Sequence, residues 1–376
     1  MHSFQTVPDI RIASGGTHDL AALITGLSTN MRVALVTDKG VRGLGLLDPA
    51  ITSLEKAGYD VLIYDSVIAD PPEEIIAEAT KHITDFGAGL IIGFGGGSSL
   101  DTAKVVAHLC ASDQPLSELY GVGLARGPKL PLMLIPTTAG TGSEVTNVAI
   151  LTTGKTEKQG IVANALYADR VLLDASLTLG LPKMITAATG IDAMVHAIEA
   201  YTSLPQKNPL SDTLALSALA KLQGAIERVC TDGSDVEARN DMLIGFMLAG
   251  QAFSNAPCAA VHALAYPLGG FFHVPHGLAN ALVVVEVMQY NLPKAEKYYA
   301  EIARHLSLGD TGTDLINEMQ RIKKATGAPM TLSEVDIPVD AIPMMAEDAL
   351  TKTRLLINNP REMTLEAATR IYESIA

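Results

Sequence analysis

Cysteine is scarce in this chain: Cys110, Cys230 and Cys258 are the only three in 376 residues, and no Cys-x-x-Cys pair occurs. An odd, sparse set excludes a disulfide framework, and each thiol reads as a small buried apolar residue rather than a nucleophile. Basic residues are also short. Lys and Arg number 27 against 41 Asp and Glu, giving a net charge of −14 and a pI near 5.0. Nucleic acid and anionic membranes both require clustered Lys and Arg, so neither is an expected partner. The opening residues show no basic segment followed by an apolar one, which leaves a reducing cytoplasm as the expected location.

Charge of either sign is missing altogether between Asp241 and Glu286. That stretch is broken by Gln251, Asn255, Pro257, His262, Pro267, His273, Pro275 and His276. No run of about 20 clean apolar residues exists in it, so a membrane span is excluded. It reads as helices inside a large core. Histidines there sit in a low-dielectric setting and need partners.

What remains is rich in apolar residues, 48% against 18% charged, the balance of a well-buried globular protein. The length suits two domains of about 150–200 residues each. The first half alternates apolar strand patterns with helical ones. Strands are expected at Met31–Val36, Val61–Tyr64, Leu90–Phe94 and Leu132–Ile135, with helices at Pro49–Ala57, Pro72–Phe86 and from Ser98 to about Cys110. All-apolar strands separated by helices imply a parallel sheet covered on both faces. Past a boundary near Gly180 strand signals vanish. Helical patterns follow at Lys183–Thr202, Pro209–Val229, Val236–Asn255, His276–Tyr290, Lys294–His305 and Asp314–Thr326. The expectation is an α/β dinucleotide-binding domain over 1–180 and an all-helical domain over 181–376.

Leu90–Phe94 runs into Gly95-Gly96-Gly97-Ser98-Ser99-Leu100-Asp101. Glycines after a buried strand let the backbone approach a ligand, and the following helix offers free N–H groups at its positive end. That suits a pyrophosphate. The plainer alternative is an ordinary turn in which Ser98 caps the helix and Asp101 completes a capping box. Asp38, beyond the first strand, could accept a ribose diol or be a surface turn residue. Pro136–Thr146 is dense in hydroxyls and small residues, fit either to contact a nucleotide or to cap itself.

Asp192 and His196 fall four apart in a helical pattern and share one face. The pair could chelate a divalent ion or form a surface ion pair. His262 and His276 lie in the charge-free stretch, where a metal would satisfy them. Three His and one Asp suit Fe2+ or Zn2+. His273 reads as a wall of that site. Phe253, Leu264 and Phe272 could line a pocket or pack the core.

On these residues the chain resembles the iron-containing, or group III, alcohol dehydrogenases. The resemblance spans nearly the whole chain and rests on Gly95–Lys104, Pro136–Thr146, Gly190–Tyr201 and His262 through Gly277. It implies a Rossmann-like α/β domain with a helical partner, as in dehydroquinate synthase, and a cleft between the halves as the site. It implies Fe2+, sometimes Zn2+, on Asp192, His196, His262 and His276. It implies the pyrophosphate of NAD(P) on Gly96, Gly97 and Ser98 with Asp101 close by, and the nicotinamide side on Thr137, Thr138, Thr141 and Thr146. Asp38 would mark NAD over NADP, and Asp70 and Lys158 match further nucleotide contacts. The implied reaction is hydride transfer between an alcohol and NAD, in a homo-oligomer.

One departure is Tyr266, which stands where many members carry a second histidine near the substrate. Tyr266, His273, or water with the cofactor ribose would then carry the proton. Maleylacetate reductase, glycerol dehydrogenase and hydroxyacid–oxoacid transhydrogenase are the related alternatives, and a non-catalytic nucleotide- or metal-binding protein is the distant one.

Overall fold

The computed structural model describes residues 3–138, 142–154 and 157–376. The chain parts into two compact units, one of Thr6–Leu179 and one of Gly180–Ala376 joined by N-terminal residues up to Gln5.

Among the described residues the first unit holds nine strands: β1 (Ile10–Ile12), β2 (Arg32–Asp38), β3 (Asp60–Val67), β4 (Leu90–Gly95), β5 (Gly121–Val122), β6 (Leu132–Pro136), β7 (Val148–Thr153), β8 (Glu157–Val162) and β9 (Arg170–Leu173). Its helices are α1 (Leu20–Leu23), α2 (Lys39–Gly43), α3 (Asp48–Lys56), α4 (Glu73–Phe86) and α5 (Gly97–Leu109). Six strands form a parallel sheet in the order β1-β9-β6-β4-β2-β3. The three central strands are apolar because both faces are covered: Val33, Leu35, Ile92, Phe94, Met133 and Ile135 are fully buried. A second sheet joins β5, β8 and β7, the last two as an antiparallel pair.

That second sheet was not expected. β8 reads EKQGIV, too polar for an apolar strand pattern, and it exists through pairing with β7 rather than through its own composition. The edge strand β1 and strand β9, three and four residues long, were not expected either.

The second unit is helical: α6 (Lys183–Thr202), α7 (Pro209–Thr231), α8 (Val236–Asn255), α9 (Ala260–Phe272), α10 (His276–His305), α11 (Gly312–Thr326), α12 (Ile342–Thr351), α13 (Thr353–Leu356) and α14 (Leu365–Glu373). α6 is buried from Thr186 to Thr202 but for Thr189, so it forms the centre of the unit. Polar residues start the helices around it. Asn208 and Thr311 close capping boxes on α7 and α11, and Asp235 caps α8.

α10 corrects one expectation. Two helices separated near Pro293 were anticipated, because proline lacks the N–H and crowds the carbonyl one turn back. The helix runs through Pro293 for 30 residues. Buried residues on both sides of the proline, Met288, Asn291 and Ala295, hold its two halves in one packing. Among the described residues no helix is long and apolar enough to cross a membrane.

Candidate active site

In the α/β unit, β4 delivers the chain to the glycine turn. Gly95 adopts φ +153°, and a Cβ there would lie 2.7 Å from Ser99 Oγ, so no other residue fits. Gly96 is the N-cap of α5, and no side chain caps it. The capping box that the plainer alternative placed on Ser98 and Asp101 does not form, and the first N–H groups of α5 stay open to a ligand. A cavity of about 480 Å³ opens beyond the turn, lined in part by Asp38, Gly96, Gly97, Ser98 and Ile68. Asp38 stands on its rim. Its Oδ1 accepts the Val41 amide at 2.9 Å and caps α2, while Oδ2 accepts Ser99 Oγ at 3.3 Å. Thr137 and Thr138 lie against the same turn: Thr137 N donates to Gly95 O at 3.0 Å, and Thr138 Oγ1 is 3.4 Å from where a Gly96 Cβ would stand. Thr141 lies outside the described residues.

Asp101 and Thr146 point elsewhere. Asp101 accepts Ser143 Oγ at 2.5 Å, the Ile150 amide at 2.9 Å and Lys104 Nζ at 3.5 Å. Fully buried Lys104 also donates to Ser143 Oγ at 2.7 Å, Val148 O at 2.8 Å and Thr146 Oγ1 at 3.2 Å. This polar cluster fastens the hydroxyl-rich loop to α5. Burial pushes the neighbouring Glu144 carboxyl up to about 7, against the pull of Lys104, and draws the Lys104 ammonium down. Asp70 and Lys158 pair with each other at 2.7 Å. Asp70 holds an uncommon positive φ of 52°, and its carbonyl accepts Thr152 Oγ1 at 2.9 Å, which ties the hairpin to this loop.

In the helical unit, Asp192, His196, His262 and His276 each aim one donor atom at a common point. These atoms all lie within 4.8 Å of one another. Asp192, His196 and His262 are buried, so the surface ion pair that the Asp192–His196 spacing allowed is not what forms. His276 is the open side of the group, its side chain 42% exposed. α6 supplies the first two residues, α9 the third and the first turn of α10 the fourth. The rings gather closely: His196 and His262 stack at 4.6 Å, and His262 and His276 tilt at 5.3 Å. Phe253 stacks on His196 at 4.3 Å. Gly277 lets α10 start this close. A Cβ there would sit 2.4 Å from Ala188 O on α6.

The electrostatics suit a cation. Burial, with the neighbouring imidazoles, pushes His196 down to about 3, so its ring is neutral. Burial alone would raise the Asp192 carboxyl, yet the imidazoles and the Asn280 amide together hold it below the usual carboxylate range. A buried carboxylate among three imidazoles is a ligand set, and it fits a divalent ion. Two residues near it were not singled out in the sequence. Asn280 Nδ2 donates to Asp192 Oδ1 at 2.6 Å, and its own buried Oδ1 has no partner. Glu199 accepts from His262 Nδ1 at 2.7 Å. Both were readable as neighbours on a helix face, Asn280 one turn after His276 and Glu199 one turn after His196.

Of the proton-relay candidates, Tyr266 lies one turn after His262, its ring 6.2 Å from that of His276. His273 is exposed at the C-cap of α9 with φ 57°, and no described contact joins it to the group. Leu264 belongs to the core, fully buried, while Phe253 and Phe272 are half-buried.

A uncapped helix behind a glycine turn and a buried carboxylate among imidazoles describe the class of metal-assisted, nucleotide-linked oxidoreductases. The comparisons with known proteins carry this further. Residues 8–175 match the family described as iron-containing alcohol dehydrogenase, and residues 186–376 match its C-terminal part, the Fe-containing alcohol dehydrogenase family, C-terminal. A long-chain-alcohol dehydrogenase from Geobacillus thermodenitrificans is 39% identical over 353 residues, covering 91% of this chain and 89% of that one. The solved structure of a 1,3-propanediol oxidoreductase is 30% identical with a TM-score of 0.96, covering 100% of both chains. A sulfoacetaldehyde reductase from Bifidobacterium kashiwanohense, solved with NAD+, is 25% identical with a TM-score of 0.91, covering 100% of this chain and 99% of that one. The chain belongs to the iron-containing alcohol dehydrogenase family. It is an oxidoreductase that interconverts an alcohol and its aldehyde or ketone, and its family implies iron and NAD(H).

Proposed function

We propose that the chain is an NAD-dependent dehydrogenase whose Fe2+ is held by Asp192, His196, His262 and His276, with Zn2+ as the alternative ion. The convergence of those four donor atoms within 4.8 Å is the observation that carries this reading. Mixed nitrogen and oxygen donors favour Fe2+ or Zn2+ over Mg2+. When bound, such an ion polarises the carbonyl oxygen or lowers the pKa of the alcohol, while a bound nicotinamide exchanges the hydride.

The chain's own residues do the rest. Asp192 brings the anionic donor and the three imidazoles the neutral ones. Gly96, Gly97 and Ser98 offer backbone N–H groups to the pyrophosphate, and Thr137, Thr138 and Thr141 contact the nicotinamide side. Thr146 and Asp101 act from behind by fixing that loop. Asp38 accepts the ribose diol and repels a 2′-phosphate, which favours NAD over NADP. Asp70 and Lys158 contact the nucleotide as a pair. Tyr266 holds the proton at its hydroxyl, and it is preferred to His273 because its ring stands near His276.

Three free thiols fit a cytoplasmic protein. The strand edge at β1, with half-exposed Ile12, favours a homo-oligomer, dimer or larger. Size-exclusion chromatography with light scattering checks the oligomer.

The test of the function is elemental analysis of the purified protein together with NADH absorbance across a panel of alcohols and aldehydes. Absorbance is the probe of choice because the chain has no tryptophan to transfer energy to NADH. His262→Ala is expected to lose both metal and turnover. Full activity in that variant after chelation would sink the proposal. Release of free NADH on alcohol addition separates a dehydrogenase from a transhydrogenase.

A further inference from the structure

Glu199 follows Asp192 by seven residues and His196 by three, so α6 carries all three on one face. Its carboxylate is 4% exposed and accepts three hydrogen bonds from the start of α9. Oε2 takes the Ala259 amide at 2.9 Å and His262 Nδ1 at 2.7 Å, and Oε1 takes the Val261 amide at 2.7 Å.

The two backbone bonds explain how α9 begins. Its N-cap is Ala259, which has no side chain able to cap. The helix end is buried, so its orphan N–H groups need acceptors. Glu199 supplies them from another helix and sets a negative charge at the positive end of α9.

The third bond has a different consequence. Both Glu199 oxygens already accept backbone N–H groups, so Glu199 accepts in the third bond too and the shared hydrogen sits on Nδ1 of His262. As a metal ligand the ring carries no second hydrogen, so its lone pair is then on Nε2. Nε2 is the nitrogen that faces the rest of the group, 3.8 Å from Asp192 Oδ1 and 3.4 Å from Asn280 Nδ2. The other tautomer would turn an N–H toward the same point and offer no donor pair. The Cys258 thiol lies close to the same imidazole, and sulfur is the weaker hydrogen-bond partner.

We propose that Glu199 is a positioning residue: it caps α9 and takes the Nδ1 hydrogen of His262, locking that ring in the tautomer that offers Nε2 to the metal. This rests on the reading that Asp192, His196, His262 and His276 bind a divalent ion.

The test compares wild type, Glu199→Gln and a Cys258→Ala control. Gln keeps the volume but has one acceptor oxygen, and its amide N–H can donate to Nδ1 and reverse the tautomer. Zinc affinity is read by competition with a chromophoric chelator. Thermal melts are recorded with and without zinc. The expected result is zinc affinity lowered about 10- to 100-fold in Glu199→Gln, the range for loss of a group behind a metal ligand, with Cys258→Ala near wild type. A smaller stabilisation by zinc should accompany it. A merely structural role would lower the melting temperature of both forms alike and leave the affinity unchanged. Folded Glu199→Gln that binds zinc within twofold of wild type overturns the proposal. If that variant does not fold, long-range 1H–15N NMR of His-labelled, zinc-loaded wild type decides: hydrogen on His262 Nδ1 supports the assignment, and hydrogen on Nε2 overturns it. Wild type that binds neither zinc nor iron overturns the underlying metal reading instead.

Discussion

Gly277→Ala should damage the candidate metal centre although residue 277 offers no donor. An added Cβ would stand 2.4 Å from Ala188 O and 2.7 Å from Ala188 C, both backbone atoms of α6. Neither can rotate away as a side chain would. Ordinary contact begins near 3.4 Å, so α10 must retreat from α6 by about 1 Å. His276 is the adjacent residue and moves with it. Its Nε2 lies 3.7 Å from Asp192 Oδ1, which α6 holds in place. Metal–ligand distances tolerate only about 0.2 Å, so a shift of that size removes His276 as an effective fourth ligand. Overpacking of this kind costs roughly 1–3 kcal/mol, and the better helix propensity of Ala offsets less than about 1 kcal/mol of it. The expected outcome is a melting temperature lowered by several degrees, metal content after dialysis well below one ion per chain, and turnover reduced about 100-fold. Inductively coupled plasma mass spectrometry, thermal melts and NADH absorbance measure the three. Full metal content with turnover within twofold of wild type would refute the reasoning.

Three further outcomes are expected. Glu144 is raised from 4.5 to about 7 by burial, so its contribution to stability is full below about pH 4.5 and is lost as pH rises through about 7. The loss is on the order of 3 kcal/mol, and Glu144→Gln should flatten the pH dependence of the melting temperature between pH 5 and 8; an unchanged slope excludes Glu144 as its source. Asp38→Asn keeps the acceptor for Val41 N and removes the charge, so kcat/KM with NADP relative to NAD should rise about tenfold, and a constant ratio would show that Asp38 does not discriminate. Tyr266→Phe should lower kcat about 100-fold and alter its pH profile, while His273→Gln leaves both unchanged; the reverse pattern would move the proton to His273.

The glycine turn shows where local pattern stops being enough. An apolar strand, three glycines and a helical period are consecutive, and β4 and α5 form as read. The hydrogen-bond partners do not follow from the same stretch. Asp101 reads as half of a capping box, yet Ser143 and the Ile150 amide, more than 40 positions away, take its oxygens. A tertiary partner with better geometry outcompetes the local one. β8 shows the same limit for strands, since its polar residues are ordered by pairing with β7.

The sequence alone determined the fold class and the family. Both rest on repeating or contiguous signals: apolar strands alternating with helices, then helices alone, and four motifs in order. It also determined which residues are chemically able to bind a metal. Tertiary structure alone decided that Asp192, His196, His262 and His276 meet within 4.8 Å, and that Glu199 and Asn280 stand behind them. The reason is physical. Periodicity records which face of a helix is apolar, whereas the angle and closeness of α6, α9 and α10 come from packing such as the contact of Gly277 with Ala188. That packing turns four scattered side chains into one site.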